Sequence, residues 1–356
     1  MLKNTKLLMA LGLIPQYILV RILSRFPEFV EHYYSNGIYP IISACFRYIL
    51  GWLPFSFGDV IYTGMTIYAL RWFYKNRRRL RKDTKNWIID LLATVSIFYF
   101  AFHILWGINY YRLPLHKNLN LNADYTEEKL IRVTEKLIQK TNHLHSKITQ
   151  NDTLKIDLPY SKSEVISLAP MGYQNLKKLF PHLEYYPSSI KKSLYSYPLT
   201  YMGFSGYLNP FTNESQVDGI IPIFKFPTTT THEIAHQLGY AAENEANFIG
   251  FMAASNHDDV YFKYCGYAFG LRFCLNEIYM RDECLFEDMI ADVNQGILKN
   301  YKETREFWEA HENPLEPFFK IFYGNFLKAN NQHKGMESYS YVVALLVNYF
   351  EINEMQ

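Results

Sequence analysis

Residues 227–248 read PTTTTHEIAHQLGYAAENEANF, and this stretch decides how the rest of the chain is read. Pro227 and the threonines behind it open a helix as its first residue and caps. On that helix His232 and His236 stand four residues apart, so both imidazoles leave one face about one turn apart, the separation that two ligands of a tetrahedral zinc require. Glu233 flanks the same face, where a carboxylate can take a proton from a metal-activated water and return it to a leaving amine. Gly239 follows three residues after His236 and terminates the helix.

A catalytic zinc needs three protein ligands and one open position, so a third ligand must come from where the chain folds back. ENEAN, residues 243–247, follows the glycine turn at once. Glu243 with Asn247 four residues on resembles the acidic ligand and the orienting polar partner on the second helix of glutamate-type zinc peptidases. Glu243 is therefore the expected third ligand. Glu245 is the alternative, presented instead if a tight turn rotates the second helix. The interval from His236 to Glu243 is shorter than in most peptidases of that type, which keeps both carboxylates open.

Around this segment, helical patterns dominate residues 109–356. Leu130, Val133, Leu137 and Leu144 give residues 125–148 a helical stripe, residues 163–180 follow Ser161 and Ser163 as caps, and SYSYVVALLVNYFE at 338–351 forms a late helix. Between them, LYSYPLTYMGFSGYLNPFTNESQVDGIIPI (194–223) alternates turn formers with short aromatic or β-branched runs and reads as a small β section. The run from Gly203 to Ile221 comes directly before the motif helix and is the candidate edge strand for pairing with an extended substrate. For oxyanion stabilisation Tyr339 and Tyr341 are considered, although packing is the commoner role in a chain with 30 tyrosines. His257, His311 and His333 are assigned to no site.

Working toward the N-terminus, three apolar stretches approach bilayer length: LLMALGLIPQYILV near residues 7–20, a run over about 52–74, and IIDLLATVSIFYFAFHILWGI at 88–108. They are expected to span a membrane over about 7–23, 52–74 and 88–108. RWFYKNRRRLRKDTK (71–85) carries eight basic residues between the second and third stretches, the mark of a cytoplasmic loop, here 75–86. This places the loop from about Ser24 to Phe57 outside, and delivers everything after Asn109 to the extracytoplasmic face of the cell (inner) membrane. The first stretch lacks a small-residue cleavage site after it and reads as a retained anchor. Asp90 and His103 lie in the third stretch and are given structural roles, Asp90 near its cytoplasmic end.

The chain has 356 residues, with 36 Lys and Arg against 34 Asp and Glu, so its balance gives no electrostatic reason to expect nucleic acid as a partner. The balance hides a split: residues 1–108 hold 13 basic and 5 acidic residues, and the remainder 23 and 29. Cys45, Cys265, Cys274 and Cys284 are too sparse for a disulfide framework or a cysteine zinc module.

Taken with these features, HEIAHQLGYAAENEANFIG (232–250), SGYLNPFTNESQVDGIIP (205–222), SNGIYP (35–40), GWLPFSFGDVIY (51–62) and WGINYYR (106–112) resemble an uncharacterised bacterial family of membrane-anchored, zinc-metallopeptidase-like proteins, a family of unknown function. The likeness covers nearly the whole chain. It implies three membrane spans, an HExxH domain outside and no established substrate, with His232, Glu233 and His236 matching the family's motif.

The expected fold class is mainly α with a small β section: N-terminal transmembrane helices over 1–108, then a zincin-like α+β domain over 109–356. The expected function is a multi-pass, membrane-anchored zinc metallopeptidase with one zinc per chain held by His232, His236 and Glu243. Glu233 is its general base, a peptide or protein its substrate, and the lipid bilayer its other partner. The alternative is a non-catalytic zinc-binding or scaffold membrane protein. An intramembrane protease is disfavoured, because PTTTT and AAENEANF are too polar for hydrocarbon.

Overall fold

Apolar stripes set the central layer. The helix Glu127–Thr149 buries Leu130, Val133, Leu137 and Leu144 as one face, and the Thr126 hydroxyl accepts from the Lys129 amide to start it. That face packs on the long helix Val260–Arg281, which also meets the helices Glu243–Ser255 and Tyr339–Ile352. The computed structural model describes residues 2–330, 339–353 and 355, and helix dominates them. His333 lies outside the described residues. The second expected helix is divided into Lys162–Leu168 and Pro170–Leu176. Ser161 caps the first piece in a reciprocal box with Glu164, and Pro170, lacking an N–H, breaks the ladder between the pieces.

The β section is smaller than its sequence suggests. Its three strands are β1 (Ile190–Lys192), β2 (Gly206–Leu208) and β3 (Ser215–Val217), in the order β1-β3-β2. β1 runs parallel to β3, while β2 is antiparallel to it with Tyr207 opposite Gln216. Residues 196–201, read as strand, are a short helix.

Among the described residues, two helices are long and apolar enough to cross a membrane: Thr5–Leu23 and Thr84–Leu105. The middle stretch is also one helix, Phe57–Asn76, but Asp59, Thr63 and Arg71 lower its hydropathy. The Lys6 ammonium and the Arg79 guanidinium both pair with Asp90, at 2.7 and 3.0 Å, so Asp90 serves as a structural tie. The His103 ring bonds the Tyr99 carbonyl one turn back in its own helix.

Residues 24–57, expected as the connection between the first two apolar stretches, are largely helical. Val30, Tyr34, Tyr39, Ser43 and Arg47 form their buried face at steps of four, five, four and four. The step of five is a π-helical turn over Val30–Ile38: Pro40 has no amide to offer the Asn36 carbonyl, and the Tyr39 amide reaches back five residues to Tyr34. This face packs on the later part of the chain, so the parts before and after residue 108 interlock. The Glu214 carboxylate accepts from the amides of Phe57 (3.1 Å) and Gly58 (2.6 Å), covering the positive N-terminus of the helix Phe57–Asn76. Asp59 accepts from the Ser193 hydroxyl and the Leu194 amide, and the Lys191 ammonium donates to the carbonyls of Gly51 and Leu53.

Candidate metal centre

The motif helix is Phe226–Gln237, with Pro227 in its first turn. The threonines are not its caps. Thr228 and Thr229 donate to the Lys225 carbonyl, and the Thr231 hydroxyl donates at 2.9 Å to Gly250 on the neighbouring helix. At the other end the chain leaves through Gly239, whose φ of +88° only glycine adopts readily; a Cβ there would also lie 2.9 Å from the Tyr39 ring. The last carbonyls find partners in the N-terminal part of the chain. Gln237 O accepts from the Tyr39 phenol (2.9 Å) and the Ser43 hydroxyl (3.0 Å), and the Trp106 indole donates to His236 O (3.2 Å). Arg112 donates to Gly239 O and makes a two-pronged pair with buried Glu31. The C-terminal end of the motif helix is thus held by side chains from sequence far upstream.

This frame brings His232, His236 and Glu243 together, with one donor atom from each inside 4.8 Å of the others. His232 Nε2 lies 3.3 Å from Glu243 Oε2, and His236 Nε2 lies 3.7 Å from Glu243 Oε1. The His236 Nδ1 is 2.7 Å from the Tyr240 carbonyl, which must accept, so Nδ1 carries a proton and Nε2, on the side of the carboxylate, is the nitrogen that binds a metal once its own proton leaves. Glu245 points elsewhere. Its buried carboxylate accepts from the Leu115 amide at 2.7 Å, and burial pushes it up to about 7 against the pull of that bond and of Arg112. Asn247 sits beside the His232 ring.

Electrostatics at the cluster ask for positive charge. Burial alone would lower the His236 ring, but the Glu243 carboxylate outweighs it and raises the ring to about 9. Burial pushes Glu243 up, yet the two imidazoles hold it well below the usual carboxylate range. Burial lifts Glu233 to about 8, with Glu243 adding to the rise and His236 and Lys225 opposing it. Glu233 Oε2 and His232 Nδ1 are buried without a hydrogen-bond partner. Two imidazoles and a carboxylate converging on one point are a donor set that suits zinc, and among the described residues no fourth His, Cys, Asp or Glu joins them.

The cluster floors a cavity of about 670 Å³. Phe102, Trp106 and Tyr110, from the end of the helix Thr84–Leu105 and just beyond, form one wall, and β2 forms another. β2 crosses close over Glu233: a Cβ on Gly206 would stand 2.6 Å from Glu233 Oε1. The bonds from Asn209 N to Glu214 O and from Asp218 N to Ser205 O turn the odd-numbered residues of this strand toward β3. The backbone groups of Gly206 and Leu208 therefore face the unpaired edge. Residues that sequence reasoning missed complete the site. The Tyr323 phenol donates to Glu243 Oε1 at 2.5 Å, and Lys225 and Arg272 line the cavity. Tyr341 instead bonds His116, and the Tyr339 side chain lies outside the described residues. His257 bonds the Leu168 carbonyl and His311 the Phe307 carbonyl, away from the cluster.

No curated protein and no solved structure matches this chain. A family model does, over residues 34–347, a span that begins after the first apolar helix and includes the helices Phe57–Asn76 and Thr84–Leu105, the sheet, the motif and Tyr323. The chain belongs to the family described as a protein of unknown function, DUF3810.

Proposed function

We propose that the protein is a membrane-anchored, zinc-dependent peptidase with a zincin-like domain, acting on the extracytoplasmic face of the cell membrane. The observation that carries this reading is the convergence of His232, His236 and Glu243 beside Glu233 on the floor of an open cavity. A structural zinc is usually closed by four protein ligands, and three with a free side is the catalytic pattern. Zinc held there would bring the pKa of a water toward about 7 and polarise a carbonyl. The chain's own groups supply the rest. Glu233, whose carboxylate form the positive charge of a bound zinc would favour, accepts the proton at Oε2, which lacks another partner, and hands it to the leaving amine. The free edge of β2 receives an extended peptide by backbone pairing, with Gly206 leaving room between strand and carboxylate. Tyr323, which lines the cavity and in this structure donates to Glu243, is the phenol that can turn to donate to a developing oxyanion.

Three spans and an outward domain are supported by the direction of the helices. Lys6 and Arg79 meet Asp90 at one end of the bundle, whereas Glu214 covers the opposite start of the helix Phe57–Asn76. That helix of 20 residues therefore runs antiparallel to the two apolar helices, and at 1.5 Å per residue it is about 30 Å long, the thickness of the hydrocarbon core. Ile67, Tyr68, Leu70 and Tyr74 on it are exposed, as lipid-facing side chains are. The basic residues 71–85 then lie at the cytoplasmic end, and the metal cluster at the other.

The test is metal content and hydrolysis by the purified full-length chain in detergent. One zinc per chain and chelator-sensitive cleavage of a peptide library are expected, with Glu233→Gln keeping the zinc and losing cleavage. A Glu233→Gln chain cleaving at the wild-type rate would remove the proposed base, and a well-folded chain that takes up no zinc under any loading condition would remove the enzyme.

A further inference from the structure

Five cationic side chains line the cavity that holds the cluster or the adjoining one, of about 700 Å³. Three are neutralised along their own helices: Lys302 by Glu306, Arg305 by Glu309 and Lys320 by Glu316. Lys225 and Arg272 are not. Among the described residues neither has a carboxylate within ion-pair distance. Lys225 donates to the Ser205 hydroxyl at 2.5 Å and lies over the Trp308 ring, and Arg272 contacts the rings of Phe269 and Phe273. Both cations line both cavities, so they stand at the junction, close enough for Arg272 to oppose the charge on Lys225. Asp218 and Glu233 act on Lys225 only from beyond ion-pair distance, and two like charges kept together among aromatic rings with no carboxylate in contact favour recruiting an anion between them. Beyond them the second cavity is lined by Leu275, Phe286, Ile290 and Leu298, an apolar recess.

We infer that Lys225 and Arg272 form a subsite for a carboxylate of a bound peptide, with an apolar side chain of that peptide entering the second cavity. Naming a peptide as the bearer rests on the peptidase reading above; the demand for an anion does not. Guanidinium and ammonium groups recognise a carboxylate through charge-assisted hydrogen bonds, and placing it beside the cluster would select substrates by an acidic group near the cleaved bond. The carboxylate can be the C-terminus of the peptide or an acidic side chain.

The inference is tested by calorimetric titration of the zinc-loaded, full-length Glu233→Gln chain in detergent, so that binding is read without turnover. Three probes are compared: N-acetyl-Ala-Ala-Phe as the free acid, the same peptide as its amide, and the amide with aspartate as its middle residue. At least tenfold tighter binding of the free acid than of the plain amide is expected, lost in Arg272→Gln and partly restored in Arg272→Lys; Lys225→Gln serves if the first variant does not fold. Tight binding of the aspartyl amide as well would assign the subsite to either kind of carboxylate. Equal affinity for all three, including no measurable binding of any, or a preference that survives both neutralising substitutions, overturns the inference. Acid-selective binding in a protein that cleaves nothing would remove the peptidase reading while leaving the subsite standing; cleavage with no acid preference would do the reverse.

Discussion

Glu243 and Glu245 are two residues apart on one helix, about 200° in rotation at 3.6 residues per turn, so at most one can face the histidines. Which one does is set by the turn 239–242, where the left-handed Gly239 and the extended Ala242 fix the entry of the second helix. Spacing alone leaves that phase open, which is why both carboxylates remain candidates when the sequence is read without the structure. The separate roles are measurable. Glu243→Ala should weaken zinc binding by more than the roughly 10–100-fold that loss of an outer partner produces. Glu245→Gln should keep one zinc per chain and lower only thermal stability, by about 1–3 kcal/mol, because the Leu115 amide loses a charged acceptor. Equal metal loss in both would mean that the two glutamates are coupled through the helix rather than divided between metal and backbone. Tyr323→Phe removes the phenol 2.5 Å from Glu243; kcat should fall by about 10²–10³ with zinc content unchanged, as for loss of an oxyanion donor. A fall in zinc content in place of kcat would make Tyr323 a support of the ligand.

At the scale of elements, what was legible followed local rules. The motif helix with Pro227 in its first turn and Gly239 after its end, and the helix Glu127–Thr149 with its Thr126 cap and 3.6-residue stripe, stand close to where the sequence puts them. The β section did not, since three-residue strands carry almost no alternation and are held by long-range pairing; β1 even lies before the expected region. Residues 24–57 enter the sequence reading only as the connection between the first two apolar stretches, and the π-turn, by adding a residue, breaks the period that would mark their buried face. Tyr323 carries no local signal at all: it reaches the cluster because a late helix folds back over the cavity, and aromatic residues on that helix look alike in sequence. The contact of β2 with Glu233 makes a sharp test of that packing. Gly206→Ala would put a methyl group 2.6 Å from Glu233 Oε1 and 2.7 Å from the Gln216 carbonyl, and the strand must move. A loss of about 1–3 kcal/mol in stability is expected, together with a drop in activity larger than stability alone explains. A Gly206→Ala protein with wild-type kcat/KM would show that β2 is free to shift without consequence for the site.

For the whole molecule, the decisive property is that the part before residue 108 is a structural support of the site, whatever else its apolar helices do. Residues 109–356 expressed alone would leave the Gln237 carbonyl without Tyr39 and Ser43, the buried Glu214 carboxylate without the amides of Phe57 and Gly58, and the Arg112 guanidinium without Glu31. Deleting the upstream part loses these bonds, each worth about 0.5–1.5 kcal/mol and about 1.5–3 where a charge takes part, and uncovers the apolar surface packed under Tyr39 and Trp106, which together approach the 5–15 kcal/mol by which ordinary domains are stable. That fragment is therefore expected to lack a cooperative melting transition and to bind zinc poorly, whereas the full chain in detergent shows both. A fragment that melts cooperatively would overturn this view. Glu31 offers a milder version of the same test. Burial raises its carboxyl, but the two-pronged bond and charge of Arg112, with Asn36 and Asn118, more than offset this and hold it below the usual range; His182 also lies near enough to feel its charge. A carboxyl depressed on folding contributes stability above its unfolded pKa, about 4.3, and that contribution is lost as pH falls through the folded value. Glu31→Gln, which leaves Arg112 buried and unpaired, should cost about 3–5 kcal/mol near pH 7. The difference in melting temperature between wild type and variant should stay level above about pH 5.5 and narrow below about pH 4, as the wild-type carboxyl itself becomes neutral. A difference independent of pH down to 3 would show that the Glu31–Arg112 tie contributes shape and hydrogen bonds to the motif helix, with no part played by its charge.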